Sequence, residues 1–159
     1  MVIVIYEERT RGYQEALVKY ARFYNPIISF LLRLGVPLGP QALLTVRGRN
    51  SGLPRTTPVA LNPHGTGWLL VSVYGRVDWV RNLRAAGEAV VTMRRRRFPV
   101  MSQELTTDQA APIIRDLVAS LSPIVRPVIG AYFATDPSAT LAAWQEEARK
   151  HPVFTLTPA

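Results

Sequence analysis

The sequence predicts an α+β fold in which an antiparallel barrel or strongly curved sheet is decorated by helices at both ends of the chain. Three observations predict it. Short strand candidates follow one another between residues 42 and 104, with one helix among them. The elements do not alternate strictly between strand and helix, which argues against a doubly wound parallel sheet. Apolar residues at helical spacing precede and follow these strands.

The N-terminal segment, about residues 10–36, is predicted to be helical. Apolar and aromatic residues recur there at helical spacing, at Tyr13, Leu17, Tyr20, Ala21 and Tyr24. Pro26 then opens a second apolar helix that continues to about Leu34. The glycines and prolines between Gly35 and Pro40 end this second helix.

The middle of the chain contains five strand candidates: Ala42–Arg47, Thr56–Leu61, Trp68–Val73, Ala89–Arg94 and Phe98–Glu104. The first two pair across a basic loop, and the third follows a turn at Pro63–Gly67. The last two form another pair, joined at an arginine run. A short helix, Val77–Ala86, separates the third strand from the fourth, with Asp78 as its cap and Gly87 at its end. Two of its residues share an inward face, Val80 and Leu83.

The C-terminal part is predicted to contain two helices and a strand. The first helix opens at Thr106 and turns four side chains inward, those of Ile113, Ile114, Leu117 and Leu121. Pro123 and Pro127 interrupt the chain after it. The last helix, Ser138–Lys150, directs two side chains inward, those of Leu141 and Trp144. A short strand, Val153–Leu156, closes the chain.

The composition fits one globular domain that spans residues 1–159. Hydrophobic residues make up 48% of the chain and charged residues 19%, a balance typical of a folded core. Neither a repeat nor a low-complexity linker divides the sequence. Lysine and arginine number 19 against 11 acidic residues, and the net charge of +8 favours an anionic partner: nucleic acid, anionic lipid or an acidic small molecule.

The residue types that are missing or scarce exclude several kinds of site. The sequence contains no cysteine, which excludes disulfides, thiolate metal sites and cysteine nucleophiles. His64 and His151 are far apart, so we expect neither a histidine metal site nor a Ser-His-Asp triad. The N-terminus lacks the pattern of a signal peptide, and the apolar stretch Ile27–Leu34 is too short to span a bilayer. We therefore expect a cytoplasmic protein, with peripheral membrane contact left open by this stretch.

The loop within Arg47–Pro58 carries the strongest functional signal. Its arginines offer planar donors suited to phosphate or carboxylate oxygens, at Arg47, Arg49 and Arg55. Gly48 and Gly52 let the backbone turn and expose its N–H groups. Hydroxyl donors are added by Ser51, Thr56 and Thr57. This chemistry predicts an anion cradle at the rim of the sheet. The alternative is a plain basic hairpin, in which Asn50–Gly52 is an ordinary turn and the arginines are solvated.

Two further motifs have a structural and a functional interpretation. In Arg94–Arg97, alternate side chains of a strand project to opposite faces, which favours a charged hairpin tip over a ligand site. The interleaved aromatic residues of a single-strand nucleic-acid platform are absent around it, so we expect no nucleic-acid partner. Tyr132 and Phe133 follow a proline-broken segment and either close a substrate pocket or simply pack.

The order of these motifs resembles the deazaflavin-dependent nitroreductase family, actinobacterial flavin/deazaflavin oxidoreductases of split β-barrel, FMN-binding-like fold. Its members carry a Gly-Arg-x-Ser-Gly-x-x-Arg-x-x-Pro pattern, matched here by Gly48, Arg49, Ser51, Gly52, Arg55 and Pro58. A Trp-x-x-Asn-Leu helix follows, matched by Trp79, Asn82 and Leu83. The closing segment Arg149–Pro158 is also similar. The resemblance runs from about residue 23 to the end of the chain.

The resemblance implies coenzyme F-420, a deazaflavin with a phosphodiester and a polyglutamate tail, as the cofactor, with FMN as the alternative. The phosphate region would be held by Arg49, Asn50, Ser51 and Gly52. Arg55 would meet the phosphate or the tail, and the ring would lie against the backbone of Thr57 and Pro58. The second strand end would be lined by Ser72, Tyr74 and Gly75, and the helix would support the cofactor through Trp79 and Asn82. Arg76 would replace a lysine that many relatives carry where this chain has Asn50.

The implied activity is a two-electron reduction of a small-molecule acceptor. Reduced F-420 would donate hydride to a quinone, an enone or a nitroaromatic compound, in an enzyme of nitroreductase or quinone reductase type. Such a reaction needs neither a metal nor a protein nucleophile, which agrees with the residue types present. Tyr74 and Tyr132 are the candidate proton donors, and we expect a monomer or homodimer. The alternatives are an FMN-binding split-barrel oxidoreductase and a non-enzymatic basic module that binds anionic lipid or nucleic acid.

Overall fold

Six strands form a closed antiparallel barrel in the computed structural model of the chain, which describes residues 26–27, 29–36, 39–124 and 126–159. The predicted helix around Tyr13–Tyr24 lies outside the described residues. All strand candidates are confirmed, with ends that move by at most three residues. The strands are β1 (Gln41–Arg47), β2 (Pro54–His64), β3 (Gly67–Val71), β4 (Glu88–Met93), β5 (Arg96–Glu104) and β6 (Val153–Pro158).

Pairs between distant parts of the chain close the barrel. The order of strands around it is β1-β2-β3-β6-β5-β4, and β4 pairs with β1. The two hairpins predicted from the sequence, β1–β2 and β4–β5, are confirmed. The C-terminal strand β6 lies between β3 and β5 and is antiparallel to both. Closure satisfies the backbone groups that an open sheet would leave at its edges.

Helices cover the barrel at its side and ends. They are α1 (Asp78–Ala86), α2 (Thr107–Ser120), α3 (Arg126–Ile129) with a following 3-10 turn (Gly130–Tyr132), and α4 (Leu141–Lys150). Residues 26–27 and 29–33 are also helical, which agrees with the helix predicted from Pro26 to about Leu34. Within the described residues, no helix is both long enough and apolar enough to cross a bilayer.

Helix α1 ends as the sequence predicts but begins without a side-chain cap. Gly87 ends it as predicted, with a φ of 69° and an N–H that donates to the Leu83 carbonyl oxygen. The predicted cap is wrong, because the residue at the cap position is Val77 and no side chain caps the helix. Asp78 is instead the first helical residue, where its negative charge suits the helix dipole.

Two contacts hold α1 against the barrel. Val80 and Leu83 are fully buried in the barrel core, as the sequence predicts. On the exposed side, the Arg84 guanidinium donates to both carboxylate oxygens of Glu104, each at 2.6 Å. This bidentate pair joins the last turn of α1 to the end of β5 and so fixes where the residues of α1 face.

The residues that the C-terminal helices bury match the predicted set only in part, at Ile114 and Trp144. Thr106 opens α2 through a reciprocal capping box with Gln109, as expected for its position. The fully buried stripe of α2 consists of Ala110, Ala111, Ile114 and Val118, whereas Ile113, Leu117 and Leu121 are only half-buried. This stripe shares the second apolar core with Trp144 and Ala148 of α4, so packing against α4 selects which residues of α2 are buried.

The predicted start of α4 is also wrong by three residues. Thr140 is the cap, and its hydroxyl accepts from the Ala143 N–H at 3.4 Å. Leu141, predicted to face inward, is 48% exposed because it lies in the first turn on the solvent side. Trp144 is fully buried, as predicted. The turn before the helix is held by Asp136, whose carboxylate accepts from Ser138.

Alternate residues of β3 and β6 face two separate apolar cores. Leu70 and Phe154 belong to the core inside the barrel. Their sequence neighbours Leu69 and Val153 belong to a second core beneath α2 and α4. This alternation follows from the two-residue period of a strand. The second core anchors the C-terminal helices to the β3–β6 wall and so places the end of α4 beside the end of β3.

Candidate functional site

The loop between β1 and β2 is a tight turn with its own hydrogen bonds. The Gly48 N–H donates to the Leu53 carbonyl oxygen at 2.9 Å, and the Gly52 N–H donates to the Gly48 carbonyl oxygen at 2.8 Å. A Cβ at Gly48 would lie 2.8 Å from Ser51 Oγ, and Gly52 has a φ of 67°. The positive φ favours glycine at position 52, and the close contact at Gly48 favours a residue without a side chain there.

Asn82 of α1 fastens this loop to the barrel. Its Oδ1 accepts from the Arg49 backbone N–H at 3.2 Å and from Arg49 Nη1 at 3.0 Å. Asn82 is only 6% exposed, so its position is fixed by packing as well as by these bonds. The residue predicted to support a cofactor thus also positions the loop that would bind it.

The Arg49 guanidinium has a second partner in Asp78. Both Nη atoms of Arg49 lie 3.3 Å from the Asp78 Oδ1, and Arg81 Nη1 lies 3.7 Å from the same oxygen. The Asp78 side chain is 79% exposed, so the pair is solvated and holds Arg49 weakly. An anionic ligand can therefore compete with Asp78 for the outer side of Arg49.

A cavity of about 700 Å³ opens beside the loop. Seven predicted cofactor-binding residues line it together: Arg49, Asn50, Ser51, Arg55, Thr57, Trp79 and Asn82. The sequence analysis missed Arg33, which reaches the cavity from the N-terminal helical segment. Its one signal in the sequence was a single charge within an otherwise apolar stretch. Asp78 also lines the cavity and was predicted only as a helix cap.

The cavity presents hydrogen-bond donors that have no acceptor within the described part of the chain. No carboxylate there forms an ion pair with Arg33 or Arg55, and both residues are exposed. The backbone N–H groups of Asn50 and Ser51 likewise donate to no described residue. Two free guanidinium groups and two turn N–H groups around one cavity are the donor set that a phosphate or carboxylate needs.

Trp79 both packs against the barrel core and lines the cavity. Its ring packs against the barrel core, with its centroid 6.1 Å from that of Phe154. It also forms part of the cavity wall, which is otherwise mostly polar, its other apolar members being Val46 and Pro54. A polar cavity of this size suits the anionic part of a ligand better than an apolar ring.

The other predicted site residues lie outside this cavity. Pro58 pairs with Leu43 within the β1–β2 ladder, and Gly52 sits at the exposed tip of the turn. The group after β3, namely Ser72, Tyr74, Gly75 and Arg76, lies beside the end of α4. Ser72 Oγ donates to the Gly75 carbonyl oxygen, which closes the turn. Arg76 Nη2 donates to the Arg149 carbonyl oxygen at 3.5 Å.

The two candidate proton donors touch each other. The rings of Tyr74 and Tyr132 meet edge to face, with centroids 4.9 Å apart and an interplanar angle of 82°. Tyr74 is 44% exposed, whereas Tyr132 is 7% exposed. The pair thus presents the Tyr74 ring to solvent and uses Tyr132 as its support.

A buried polar network beneath these tyrosines was not predicted. The Glu147 carboxylate accepts from the Ala134 N–H and from Lys150 Nζ, each at 3.2 Å, and lies 3.5 Å from His151 Nε2. His151 Nδ1 lies 3.1 Å from the Ser72 carbonyl oxygen. Burial would raise the pKa of Glu147, but His151, Lys150 and the Ala134 N–H together lower it below its ordinary value. The network ties the turn after β3 to α4.

Comparison with known proteins identifies relatives of this fold. The family described as F-420H(2)-dependent quinone reductase matches residues 32–126. The structure of an F-420H(2)-dependent reductase is 17% identical, with a TM-score of 0.51, over 74% of this chain and 93% of that one. A structure described as a domain-swapped dimer is 18% identical, with a TM-score of 0.50, over 87% of this chain and 98% of that one.

A third structure comes from a protein that binds another flavin. The FMN-binding protein of Nostoc punctiforme PCC 73102, related to pyridoxamine 5'-phosphate oxidase, is 14% identical with a TM-score of 0.50. The match covers 85% of this chain and 80% of that one. No curated protein sequence matches the chain. At these identities the structures establish the fold alone, and they confirm the predicted split β-barrel.

Proposed function

Because the chain belongs to the F-420H(2)-dependent quinone reductase family, we propose that it reduces a quinone, an enone or a nitroaromatic compound with reduced coenzyme F-420. Family membership carries the reductase activity and the cofactor. The acceptor and the roles of individual residues are our proposal. We further propose a cytoplasmic monomer or homodimer whose partner is the small-molecule acceptor rather than a nucleic acid.

The observation that supports this function best is the cavity beside the β1–β2 loop. Coenzyme F-420 carries a phosphodiester and several carboxylates, so it needs more cationic donors than a single phosphate does. Arg33 and Arg55 have no carboxylate partner among the described residues, and Arg49 has only a solvated one. The donor set and the volume of about 700 Å³ therefore fit the anionic half of this cofactor.

The residues around the loop would divide the binding of F-420 among them. Backbone N–H groups of the turn, with Arg49 and Ser51, would hold the phosphodiester, and Gly52 would keep the turn open. Arg55 and Arg33, which both line the cavity, would meet the carboxylates of the tail. Asn82 and Trp79 would support the cofactor from α1. The deazaflavin ring would lie beyond the polar cavity, against the backbone of Thr57 and Pro58.

When bound, reduced F-420 supplies the hydride, and the chain supplies binding, orientation and exclusion of water. We propose that the group after β3, with Ser72 and Gly75, borders the acceptor. Tyr74 would donate the proton that the reduced acceptor takes up, since its ring is partly exposed. The more buried Tyr132 would hold the Tyr74 ring in place through their edge-to-face contact. Arg76 would add a positive charge at this end of the site.

The activity is tested by mixing the protein with reduced F-420 and menadione and following the absorbance of the reoxidised cofactor. We expect turnover with reduced F-420 and none with NADPH in its place. Tyr74→Phe is expected to lower the rate while cofactor affinity stays nearly unchanged. Turnover with NADPH or with reduced FMN, and none with reduced F-420, would refute the proposed donor.

The cradle is tested by titrating the protein with F-420 and following its fluorescence. Arg55→Ala removes a charge-assisted contact of roughly 1.5–3 kcal/mol, so the dissociation constant should rise about tenfold to a hundredfold. Arg115→Ala is the matched control, since it removes a partly exposed arginine of α2 that is far from the loop in sequence. If Arg55→Ala binds F-420 as tightly as Arg115→Ala and the unchanged protein do, the basic loop is only a solvated hairpin.

A further inference from the structure

A buried carboxylate and a buried imidazole lie outside the lining of the cavity beside the β1–β2 loop. Glu147 is 2% exposed and His151 is 6% exposed. Removing these two polar side chains from water costs free energy that apolar side chains of similar size would not, so packing alone does not explain them. Lys150 is mostly exposed, so its ion pair with Glu147 is solvated and contributes little. What distinguishes the buried pair is the two chain segments that it joins.

The first segment is the turn that contains Tyr74. The Ser72 carbonyl oxygen accepts from the Gly75 N–H at 3.1 Å, which closes this turn around Val73 and Tyr74. His151 Nδ1 lies 3.1 Å from the same oxygen. Because a carbonyl oxygen only accepts, this contact assigns a hydrogen to Nδ1, which donates it. The imidazole therefore holds the atom on which the turn closes.

The second segment contains Tyr132. Two residues after it, the Ala134 N–H donates to Glu147 Oε2 at 3.2 Å. The same carboxylate oxygen lies 3.5 Å from His151 Nε2. Phe133 packs its ring on the His151 ring, with the two centroids 4.5 Å apart. One carboxylate oxygen and one imidazole thus link the segment of Tyr132 to the turn of Tyr74.

We propose that Glu147 and His151 are positioning residues, which hold Tyr74 against Tyr132 in the place from which Tyr74 donates its proton. Each anchor of this Glu147–His151 clamp lies two residues from a tyrosine along the chain, so moving an anchor displaces one ring relative to the other. The Tyr74 residue is 44% exposed, so the contact between the rings leaves much of it without support. The clamp supplies that support through the backbone.

This assignment rests on the proposed reductase function. In it, the acceptor receives a hydride from reduced F-420 and a proton from the Tyr74 hydroxyl. The tyrosinate then regains from water the proton that the oxidised cofactor releases. Misplacing a reacting group by about 1 Å can cost about a hundredfold in rate, so an anchor in the backbone is sufficient to control this step.

The kinetic test uses the full chain with reduced F-420 and menadione. His151→Leu removes the donor to the Ser72 carbonyl oxygen, whereas His151→Asn keeps an N–H near the place of Nδ1. We expect kcat to fall about tenfold to a hundredfold in His151→Leu and to recover largely in His151→Asn. The KM for reduced F-420 should stay nearly unchanged, because the cavity for its anionic groups is elsewhere. Equal losses of kcat in the two variants would refute the proposal.

A matched pair of variants at Glu147 tests the other half of the clamp. Glu147→Leu removes the acceptor of the Ala134 N–H, and Glu147→Gln keeps an oxygen there. The first should lower kcat as His151→Leu does, and the second should retain more of it. Ile114→Val is the control for lost stability, since it shortens a fully buried side chain of α2 in the same apolar core. A loss of kcat in this control as large as that in His151→Leu would refute the proposal.

A double variant tests whether His151 acts through Tyr74. Once Tyr74→Phe has removed the proton donor, His151→Leu has no donor left to misplace. Adding it should then lower kcat by less than about twofold, which is the limit of independent effects. Equal fold losses with and without the Tyr74 hydroxyl would overturn the proposal, because His151 would then act on stability or on another group.

Hydrogen exchange followed by mass spectrometry tests the clamp with neither cofactor nor acceptor present. Peptides that cover Ser72–Arg76 and Tyr132–Ala134 should exchange faster in His151→Leu than in the unchanged protein. The same peptides should exchange normally in His151→Asn and in Ile114→Val. Unchanged exchange in His151→Leu would refute the clamp even if kcat falls. If the unchanged protein oxidises no reduced F-420, the proposed function fails, and the exchange measurement decides on the clamp by itself.

Discussion

Single polar side chains, rather than the loop sequence alone, determine the shape of the candidate site. Asn82 accepts two hydrogen bonds from Arg49, one from its backbone and one from its guanidinium. The sequence marks Asn82 through the Trp-x-x-Asn-Leu motif but says nothing about its partner. The structure shows that the motif and the basic loop are joined at this residue, so a change in α1 is transmitted to the cradle.

Replacing Asn82→Ala should therefore loosen the cradle. The Arg49 N–H loses its acceptor, which costs roughly 1–3 kcal/mol where the group stays shielded from water. We expect a lower melting temperature and weaker F-420 binding, measured by calorimetry and by fluorescence titration. Asn82→Asp is the matched control, since it keeps an oxygen at the same place and should retain more of both properties. Equal losses in the two variants would show that the acceptor atom is not the cause.

Glu147 makes the stability of the C-terminal helices depend on pH. Its pKa is lowered in the folded chain, because contacts with His151 and Lys150 outweigh the opposing effect of burial. A lowered folded-state pKa contributes stability above the unfolded-state value, near 4.3, and that contribution is lost as pH falls through the folded value. We expect the unfolding free energy of the unchanged protein to approach that of Glu147→Gln as pH falls from about 5 toward 3.

The comparison needs urea unfolding of both proteins at several pH values. The difference between the two curves isolates Glu147 from the other carboxylates, which titrate in both proteins. Curves that stay parallel over the whole range would show that Glu147 does not titrate differently in the folded and unfolded chains.

At the scale of elements, the barrel depends on close contact between β3 and β6. Gly67 starts β3, and a Cβ there would lie 2.0 Å from the Leu156 carbonyl oxygen. The sequence shows Gly67 as the end of a turn, which would allow several small residues. The contact with β6 is what restricts the position to glycine, because a backbone atom cannot rotate away as a side chain could.

Gly67→Ala should therefore separate these two strands. Overpacking of this kind costs about 1–3 kcal/mol, and the melting temperature should fall accordingly. Gly130→Ala is the control, since its new Cβ would have Arg126 Cγ, at 3.6 Å, as its nearest neighbour. A similar loss in both variants would indicate a general effect of replacing glycine rather than a clash between β3 and β6.

At the scale of the whole molecule, the excess of positive charge has specific locations. The net charge is +8. Part of it surrounds the cavity, at Arg33, Arg49 and Arg55. Another part lies at Arg94–Arg97, the exposed turn between β4 and β5 with the start of β5. The composition indicates an anionic partner, and the fold divides the charge between the cavity and an exposed hairpin end.

This distribution predicts a preference between cofactors. F-420 presents a phosphodiester and several carboxylates to the cavity, whereas FMN presents one phosphate. We expect F-420 to bind more tightly and to lose more affinity than FMN as salt rises, because it makes more contacts between exposed charges. Fluorescence titrations of both at low and high salt measure this. Tighter binding of FMN at either salt concentration would contradict the predicted preference.

The sequence alone determined the features that depend on near neighbours in the chain. Turn residues and two-residue alternation predict the hairpins β1–β2 and β4–β5, and Gly87 and Thr106 mark helix ends. The basic loop and the Trp-x-x-Asn-Leu motif can also be recognised from residues that are close together in the sequence. Seven of the residues carried over from the family resemblance line one cavity, although only the fold brings the β1–β2 loop and α1 together there.

Only the tertiary structure decided what depends on contacts between distant segments. Placement of β6 between β3 and β5 closes the barrel and brings the end of α4 to Ser72. Packing against α4, β3 and β6 decides which side of α2 is buried, so helical periodicity alone predicted only part of the buried stripe. Arg33 reaches the cavity through packing that no local pattern encodes. Glu147 and His151 are four residues apart at the end of α4, but their burial and the contact of His151 with Ser72 depend on distant segments. Side-chain periodicity predicts which residues are buried, but the segment that packs over them is determined only by the folded barrel.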